Sequence, residues 1–391
     1  MSIDQWLLPD GIGEILPAQA QGVEQLRRRL LDLYARWGYE MIMPPLLEFT
    51  ESLLSGVGAD LSLMTLKVTD QLSGRLMGLR ADITPQAARI DAHSHVRNGV
   101  SRLCYADHIF HAKPKTPLAV RTPLQAGVEL FGEAGLDADL EVISLLLASL
   151  EEIDITDVTL DLGHVGVFRA LIDYAGITKT QRTALLELLQ QKDVVDIQKW
   201  VSEHITDKDC AGWFNELAEL RGGLEMLEHA EKQLEGAPDE VFAAIDELRA
   251  TAELINTRYP NVNVYMDLSE LRGYQYHTGI VFAAYAEGVA DALANGGRYD
   301  HIGESFGRAR PATGFGLNLT AVLPLLTLPT PAAGIYAPAS PDPAQWQRIS
   351  ELRQQGERVV CGLSDQVPDF SELGCDRQLV LVDEQYQLIA I

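Results

Sequence analysis

Arg272, Tyr274 and Tyr276 recur at every second position inside Glu-Leu-Arg-Gly-Tyr-Gln-Tyr-His-Thr-Gly, residues 270–279. On a strand this spacing sets one guanidinium and two phenols on a single face, with His277 beside them. A guanidinium fixes a carboxylate through paired N–H donors, and rings stack on or hydrogen-bond to another ring. Asn-Gly-Gly-Arg-Tyr-Asp follows at 295–300, where Gly296 and Gly297 let another group approach the backbone. The combination fits the floor of a site for a small zwitterionic ring compound. It fits equally a twisted sheet with aromatic cross-strand pairs. A second polar pair, Gln125 and Glu129, lies in the otherwise apolar run 122–131. Four residues apart, the two share a strand face, and they need partners if buried. Asp82 and Thr84 stand at a strand-to-helix junction, where both residue types cap helices well.

These side chains need a sheet to hold them. Periodic apolar residues predict helices over 18–37 and 137–153, and strands over 39–49 (broken by Pro44 and Pro45), 101–114, 122–131 and 156–162. A hairpin is expected around 70–74 and a helix over about 85–97. Residues 270–294 are expected to form two antiparallel strands, and 314–326 to begin a helix. Residues 167–258 carry almost continuous helical patterning and read as a helical insertion between sheet segments. A proline-rich linker at 329–341 precedes a small α/β unit. Two domains follow, a core over 1–328 and a C-terminal domain over 329–391.

The chain has 391 residues and a net charge of −25. That balance argues against a large nucleic-acid footprint, which needs clustered Lys and Arg, though not against a local basic cleft. The four cysteines, Cys104, Cys210, Cys361 and Cys375, are far apart and read as free thiols of a reducing cytoplasm. No secretory signal and no membrane-spanning run is expected. His93 and His95 diverge on a helix, and Gly11 and Gly13 lack a strand–loop–helix setting, so no metal, phosphate loop or other cofactor is expected. Asp161 and His164 read as loop-capping residues.

The order of these pieces resembles the core of the class II aminoacyl-tRNA synthetases, specifically histidyl-tRNA synthetase, over roughly residues 5–325. Arg-Gly-Tyr-Gln-Tyr-His-Thr-Gly is similar to that family's histidine-binding motif, and Asn-Gly-Gly-Arg-Tyr-Asp to its glycine-rich neighbour. The resemblance implies an α+β fold: an antiparallel sheet flanked by helices, with a helical insertion and a small C-terminal α/β domain. It implies that Asp82, Thr84 and Gln125 hold the α-ammonium of a bound histidine. Glu129 with Tyr276 and His277 would read the imidazole, and Arg272 would meet the carboxylate. Asp82 and His277 replace the family's Glu and Tyr.

The departures carry as much as the matches. The family's Phe-Arg-any-Glu run, whose arginine grips the ATP α-phosphate, reads Phe110-His111-Ala112-Lys113 here. The arginine that closes its third motif is Ala321. Each missing donor to a transferring phosphoryl group costs on the order of 3 kcal/mol of barrier. Arg121 and Arg298 are the cations left that could stand in. The last sixty or so residues are acidic (Asp365, Asp369, Glu372, Asp376, Asp383, Glu384), unlike a tRNA-binding surface. Together these features resemble the synthetase paralogues that serve as regulatory subunits of short-form ATP phosphoribosyltransferase. That resemblance implies a non-catalytic protein of histidine biosynthesis, which supports a separate catalytic subunit and carries feedback inhibition by L-histidine. It implies self-association through Pro44–Phe49, and no tRNA or membrane partner. The competing reading is an active histidyl-tRNA synthetase-like ligase.

Overall fold

The computed structural model describes residues 6–56, 58–114, 119–326, 332–364 and 367–391. The tip of the 114–120 loop, Asp365 and the start of the expected linker lie outside the described residues, as does the expected domain boundary at 328/329. By backbone contacts the chain divides into two compact units, one comprising residues 1–15 and 23–327 and the other residues 16–22 and 328–391.

The first helix, α1, spans Pro17–Arg36. Strands β1 (Glu40–Met41) and β2 (Leu47–Phe49) flank Pro44 and Pro45, which supply no N–H to a ladder. Short helices α2 (Thr50–Leu53) and α3 (Ala59–Met64) lead into the hairpin of β3 (Lys67–Thr69) and β4 (Leu76–Leu79). Helix α4 is only Thr84–Arg89, continued by one wide π turn over Ile90–Ser94. Strands β5 (Ser101–His108) and β6 (Leu124–Phe131) pair antiparallel. Helix α5 (Leu136–Glu152) buries Leu140, Ile143, Leu146, Leu147 and Leu150, and β7 (Val158–His164) follows it.

The insertion holds six helices, α6 (Val165–Ala175), α7 (Lys179–Gln191), α8 (Val194–His204), α9 (Lys208–Leu217), α10 (Glu225–Gln233) and α11 (Asp239–Arg258). Thr178, Asp193 and Asp207 cap α7, α8 and α9 with their side-chain oxygens. The insertion also contributes a two-residue strand, β8 (Arg221–Gly222), to the edge of the sheet beside β9 (Asn263–Asp267). Strands β10 (Ile280–Ala286), β11 (Ala294–Arg298) and β12 (Ala312–Asn318) complete the unit with helix α12 (Leu319–Val322).

The main sheet has nine strands in the order β1-β5-β6-β12-β11-β10-β7-β9-β8. Its middle is antiparallel, but β1 runs parallel to β5 and β7 parallel to β9, so the sheet is mixed. Strand β6 is buried over nearly its whole length, with Ala126, Val128 and Leu130 on the face opposite Gln125 and Glu129. A three-stranded sheet, β2-β4-β3, stands apart.

The second unit is a four-stranded sheet, β14-β13-β15-β16, built from β13 (Gly334–Ala337), β14 (Val359–Cys361), β15 (Cys375–Val382) and β16 (Gln385–Ala390). Helix α13 (Pro343–Gln354) covers it through Ile349 and Leu352, which pack with Ile335, Ala337, Val359 and Leu379. A last short helix, α14, spans Phe370–Leu373.

Two expected elements differ. Residues 271–278 are turns, not a strand, because Gly273 takes a left-handed φ of 60° and both Tyr276 N–H and His277 N–H donate to its carbonyl. Residues 314–318 belong to strand β12, not to a helix; the helix starts at Leu319, capped by Asn318.

Candidate functional site

A cavity of about 880 Å³ opens over the middle strands. All seven side chains singled out from the sequence line it: Asp82, Thr84, Gln125, Glu129, Arg272, Tyr276 and His277. They come from β6, from the N-terminal end of α4 and from the 271–278 turn. The alternating-face expectation fails at Tyr274. The turn rotates that ring away from the cavity and buries it edge-on against Phe168, with centroids 5.2 Å apart.

One end of the cavity is rich in acceptors. Gln125 Nε2 donates to Asp82 Oδ1 at 3.0 Å, while Gln125 Oε1 receives Ile83 N–H at 3.2 Å. Thr84 N–H also donates to Asp82 Oδ1, at 3.2 Å. The carboxylate is thereby aimed by the turn before α4, whose N-cap position is Ile83, so neither Asp82 nor Thr84 is the capping residue.

Glu129 lies in the floor and is 1% exposed. Tyr105 Oη donates to Oε1 at 3.0 Å, and Tyr299 Oη donates to Oε2. Burial is the main force on its carboxyl and pushes the pKa up to about 8, with neighbouring Asp82 adding to the rise against the hydrogen bonds. The floor must be bare for this side chain to fit. A Cβ on Gly314, opposite Glu129 across the β6–β12 ladder, would overlap the carboxylate, and one on Gly316 would meet Gln125 Nε2. Gly314 is therefore required, since a Cβ there would also meet the Val128 carbonyl, whereas at Gly316 the Gln125 amide would have to shift.

The opposite wall carries Arg272. Its guanidinium reaches Glu270 at 2.9 Å and Asn295 Oδ1 at 3.4 Å, and lies 5.5 Å from the Tyr285 ring centroid. Tyr276 stacks on Tyr299, centroids 5.0 Å apart. His277 Nδ1 donates to the Arg298 carbonyl at 3.2 Å, and burial pushes its pKa down to about 4, which keeps the ring neutral at pH 7.

The remainder of the cavity is lined by Ile109, His111, Ala119, Val120, Pro123, Thr320 and Ala321, among others. Among the described lining residues Arg272 is the one Arg or Lys. The two cations that could have stood in are committed elsewhere. Arg298 forms a buried ion pair with Asp139 at 2.7 Å and also binds the Glu133 and Gly135 carbonyls. Arg121 donates to the His111 carbonyl at 3.0 Å and the Asp10 carbonyl at 3.2 Å. Lys113 is exposed.

Sequence reasoning missed Tyr105 and left Tyr299 and Asn295 without a role, although both of the latter fall in the quoted Asn-Gly-Gly-Arg-Tyr-Asp run. Tyr105 carries no local signal, since its partner lies on the next strand. His164 does cap α6, accepting Gly166 N–H at 3.0 Å. Asp161 does not cap a loop; it sits in β7 opposite Ala283, and burial together with Glu270 and Asp267 raises its pKa to about 7.

A family model for histidyl-tRNA synthetase matches residues 11–322. A model for the ATP phosphoribosyltransferase subunit HisZ C-terminal domain matches residues 332–389. An ATP phosphoribosyltransferase regulatory subunit from Teredinibacter turnerae is 53% identical over 391 residues, covering 100% of this chain and 99% of that protein. The chain belongs to the family of ATP phosphoribosyltransferase regulatory subunits. A solved ATP phosphoribosyltransferase regulatory subunit/histidyl-tRNA synthetase from Bacillus halodurans superposes with a TM-score of 0.82 at 26% identity, covering 94% of this chain and 95% of that one. A chain of the ATP phosphoribosyl transferase (HisG:HisZ) complex from Thermotoga maritima shares the fold, with a TM-score of 0.59 at 19% identity over 75% of this chain and 96% of that one. The synthetase model thus covers the first unit's residues 11–322, and a separate model covers the C-terminal domain. Among the described residues no helix is long and apolar enough to cross a membrane, and no group of His, Cys, Asp and Glu could hold a metal ion.

Proposed function

We propose that the cavity binds L-histidine and that the chain, assembled with a catalytic subunit of ATP phosphoribosyltransferase, supports that subunit's activity and transmits feedback inhibition without forming an adenylate itself. The observation that carries this is that groups of three complementary chemistries line one cavity. Acceptors from Asp82, Thr84 and Gln125 suit an ammonium, and the Arg272 guanidinium suits a carboxylate. Glu129 with Tyr276 and His277 suits an imidazole. The lining of the remaining space supports the absence of adenylation, because a triphosphate would find no arginine or lysine of its own there among the described residues. The solved relative from Thermotoga maritima belongs to a HisG:HisZ complex, which supports a catalytic partner for this chain too.

Inhibition then works by linkage. Histidine shifts an equilibrium between two arrangements of the complex only by its difference in affinity for them, typically about 1–3 kcal/mol. The core over 1–328 holds this site, and the domain over 329–391 replaces the tRNA-reading domain of the synthetases, so no tRNA is bound. The free cysteines suit the cytoplasm. Self-association uses the Pro44–Phe49 segment and the residues just before it, where Met41, Met43, Leu46 and Leu47 are exposed at 39–71%. Met43→Asp should shift the sedimentation of the isolated chain from dimer to monomer; an unchanged dimer would move the interface elsewhere.

The decisive assay is histidine-dependent exchange of pyrophosphate into ATP, set beside stimulation of the catalytic subunit. A chain that stimulates and is inhibited by histidine but shows no exchange fits the regulatory reading. Exchange at ordinary synthetase rates would replace it with the ligase.

A further inference from the structure

The 271–278 turn brings Arg272, Tyr276 and His277 to the cavity, yet it is not a strand and has few backbone bonds to the sheet. Thr278 N–H donates to the Arg298 carbonyl at 2.7 Å, and His277 Nδ1 donates to the same oxygen. The outer side of the turn rests on α6, the first helix of the insertion. Val165 N–H donates to the Gly279 carbonyl at 3.1 Å. Phe168 meets the Tyr274 ring edge-on. Arg169 Nη2 donates to the His277 carbonyl at 2.9 Å, and its guanidinium lies 5.6 Å from the Tyr274 ring centroid. Positions 165, 168 and 169 share one helix face, so a single face of α6 backs the whole turn.

We propose that Arg169 is a positioning residue for the amino-acid pocket, holding the His277 carbonyl and the Tyr274 ring so that the imidazole-reading side of the turn stays in register with Glu129. The guanidinium lines a second, open cavity of about 530 Å³ together with Asp173, Glu240 and Glu247. Those three carboxylates surround the cavity, yet among the described residues none lies within ion-pair distance, 4.0 Å, of Arg169. Glu247 is instead 3.1 Å from His164 Nε2. A guanidinium that binds a backbone carbonyl with acids at hand is fixed by the turn's geometry rather than by ion pairing. One guanidinium serves both contacts, donating to the carbonyl and lying over the tyrosine ring. The helical insertion is thereby part of the ligand site, although no residue of α6 touches the first cavity.

The inference rests on the histidine reading of that cavity, and its test separates the two. Calorimetric titration of the full chain would use three ligands: L-histidine, 3-(2-thienyl)alanine, which lacks ring nitrogens, and histidinol, which lacks the carboxylate. The ratio of the histidine and thienylalanine dissociation constants reads the imidazole end alone and does not depend on the fraction of protein folded. Arg169→Met keeps the packing of the stem and removes the donors. It should shrink the preference for histidine over thienylalanine about tenfold, the worth of one charge-assisted hydrogen bond, while changing the preference for histidine over histidinol less. Arg169→Lys should restore at least half of the loss on a logarithmic scale, and it carries the test if the methionine variant does not fold. A ring ratio unchanged in Arg169→Met, or weakened binding with both ratios unchanged, would overturn the inference. Wild-type protein that binds none of the three ligands would overturn the histidine reading instead.

Discussion

Replacing Glu129 by Gln should flatten the pH dependence of stability. In the folded chain the Glu129 pKa is raised from 4.5 to about 8, chiefly by burial and against the lowering effect of the Tyr299 and Tyr105 hydroxyls. A folded pKa above the unfolded one means that the folded state binds the proton more tightly. The contribution is fully present below about pH 4.5 and is lost as pH rises through about 8. Each unit of pH in that window removes about 1.4 kcal/mol, so by pH 7 roughly 3 kcal/mol has gone, approaching a limit of about 5 kcal/mol at higher pH. The glutamine keeps the shape and does not titrate. Asp161, also raised to about 7, adds a slope of its own. That slope is common to both proteins and cancels in their difference. Melting curves of wild type and Glu129→Gln from pH 5 to pH 8.5 at constant ionic strength are the assay. The variant should be the less favoured protein at pH 5 relative to its standing at pH 8, with the difference in Tm moving by about 4 °C, at about 1.2 °C per kcal/mol for a chain of this length. Parallel Tm curves would show that Glu129 titrates normally, and the buried protonated carboxyl would be refuted.

Arg272→Ala should weaken histidine inhibition of the assembled enzyme on the order of 10- to 100-fold, the worth of a charge-assisted hydrogen-bond pair. Assembly should persist, since the side chain faces the cavity; size-exclusion chromatography beside inhibition curves checks both. Gly314→Ala puts a methyl group where the Glu129 carboxylate lies, so it should cost about 1–3 kcal/mol of stability and abolish measurable histidine binding. Denaturant midpoints and calorimetry of the same sample test it, and normal binding in that variant would mean that Glu129 does not contact the ligand.

The sequence was most informative where a local pattern and the tertiary environment agree. Helix α5 and strand β6 are legible because burial on one or both faces leaves an apolar rhythm, against which Gln125 and Glu129 stand out. The 271–278 segment misled because alternating Arg272, Tyr274 and Tyr276 imitate a strand. Gly273 in the left-handed region turns the chain, and Tyr274 leaves the cavity for the Phe168 ring. Gly314-Phe315-Gly316 misled for a long-range reason: the glycines make room for Glu129 and Gln125 of another strand, and nothing in their own neighbourhood announces that. Tyr105, whose hydroxyl reaches Glu129 across the β5–β6 ladder, was out of reach for the same cause. The departures from the synthetase motifs at His111 and Ala321 are legible in the sequence, but the engagement of Arg298 with Asp139, far apart along the chain, is not.

Titration of the isolated chain with L-histidine and with ATP, side by side in one calorimeter, distinguishes a histidine-binding regulatory subunit from an adenylate-forming ligase. Saturable binding of one histidine per chain with no heat from ATP is the expected result. Saturable ATP binding that histidine strengthens would contradict it, because it would mean that the cavity still seats both substrates of an adenylation reaction.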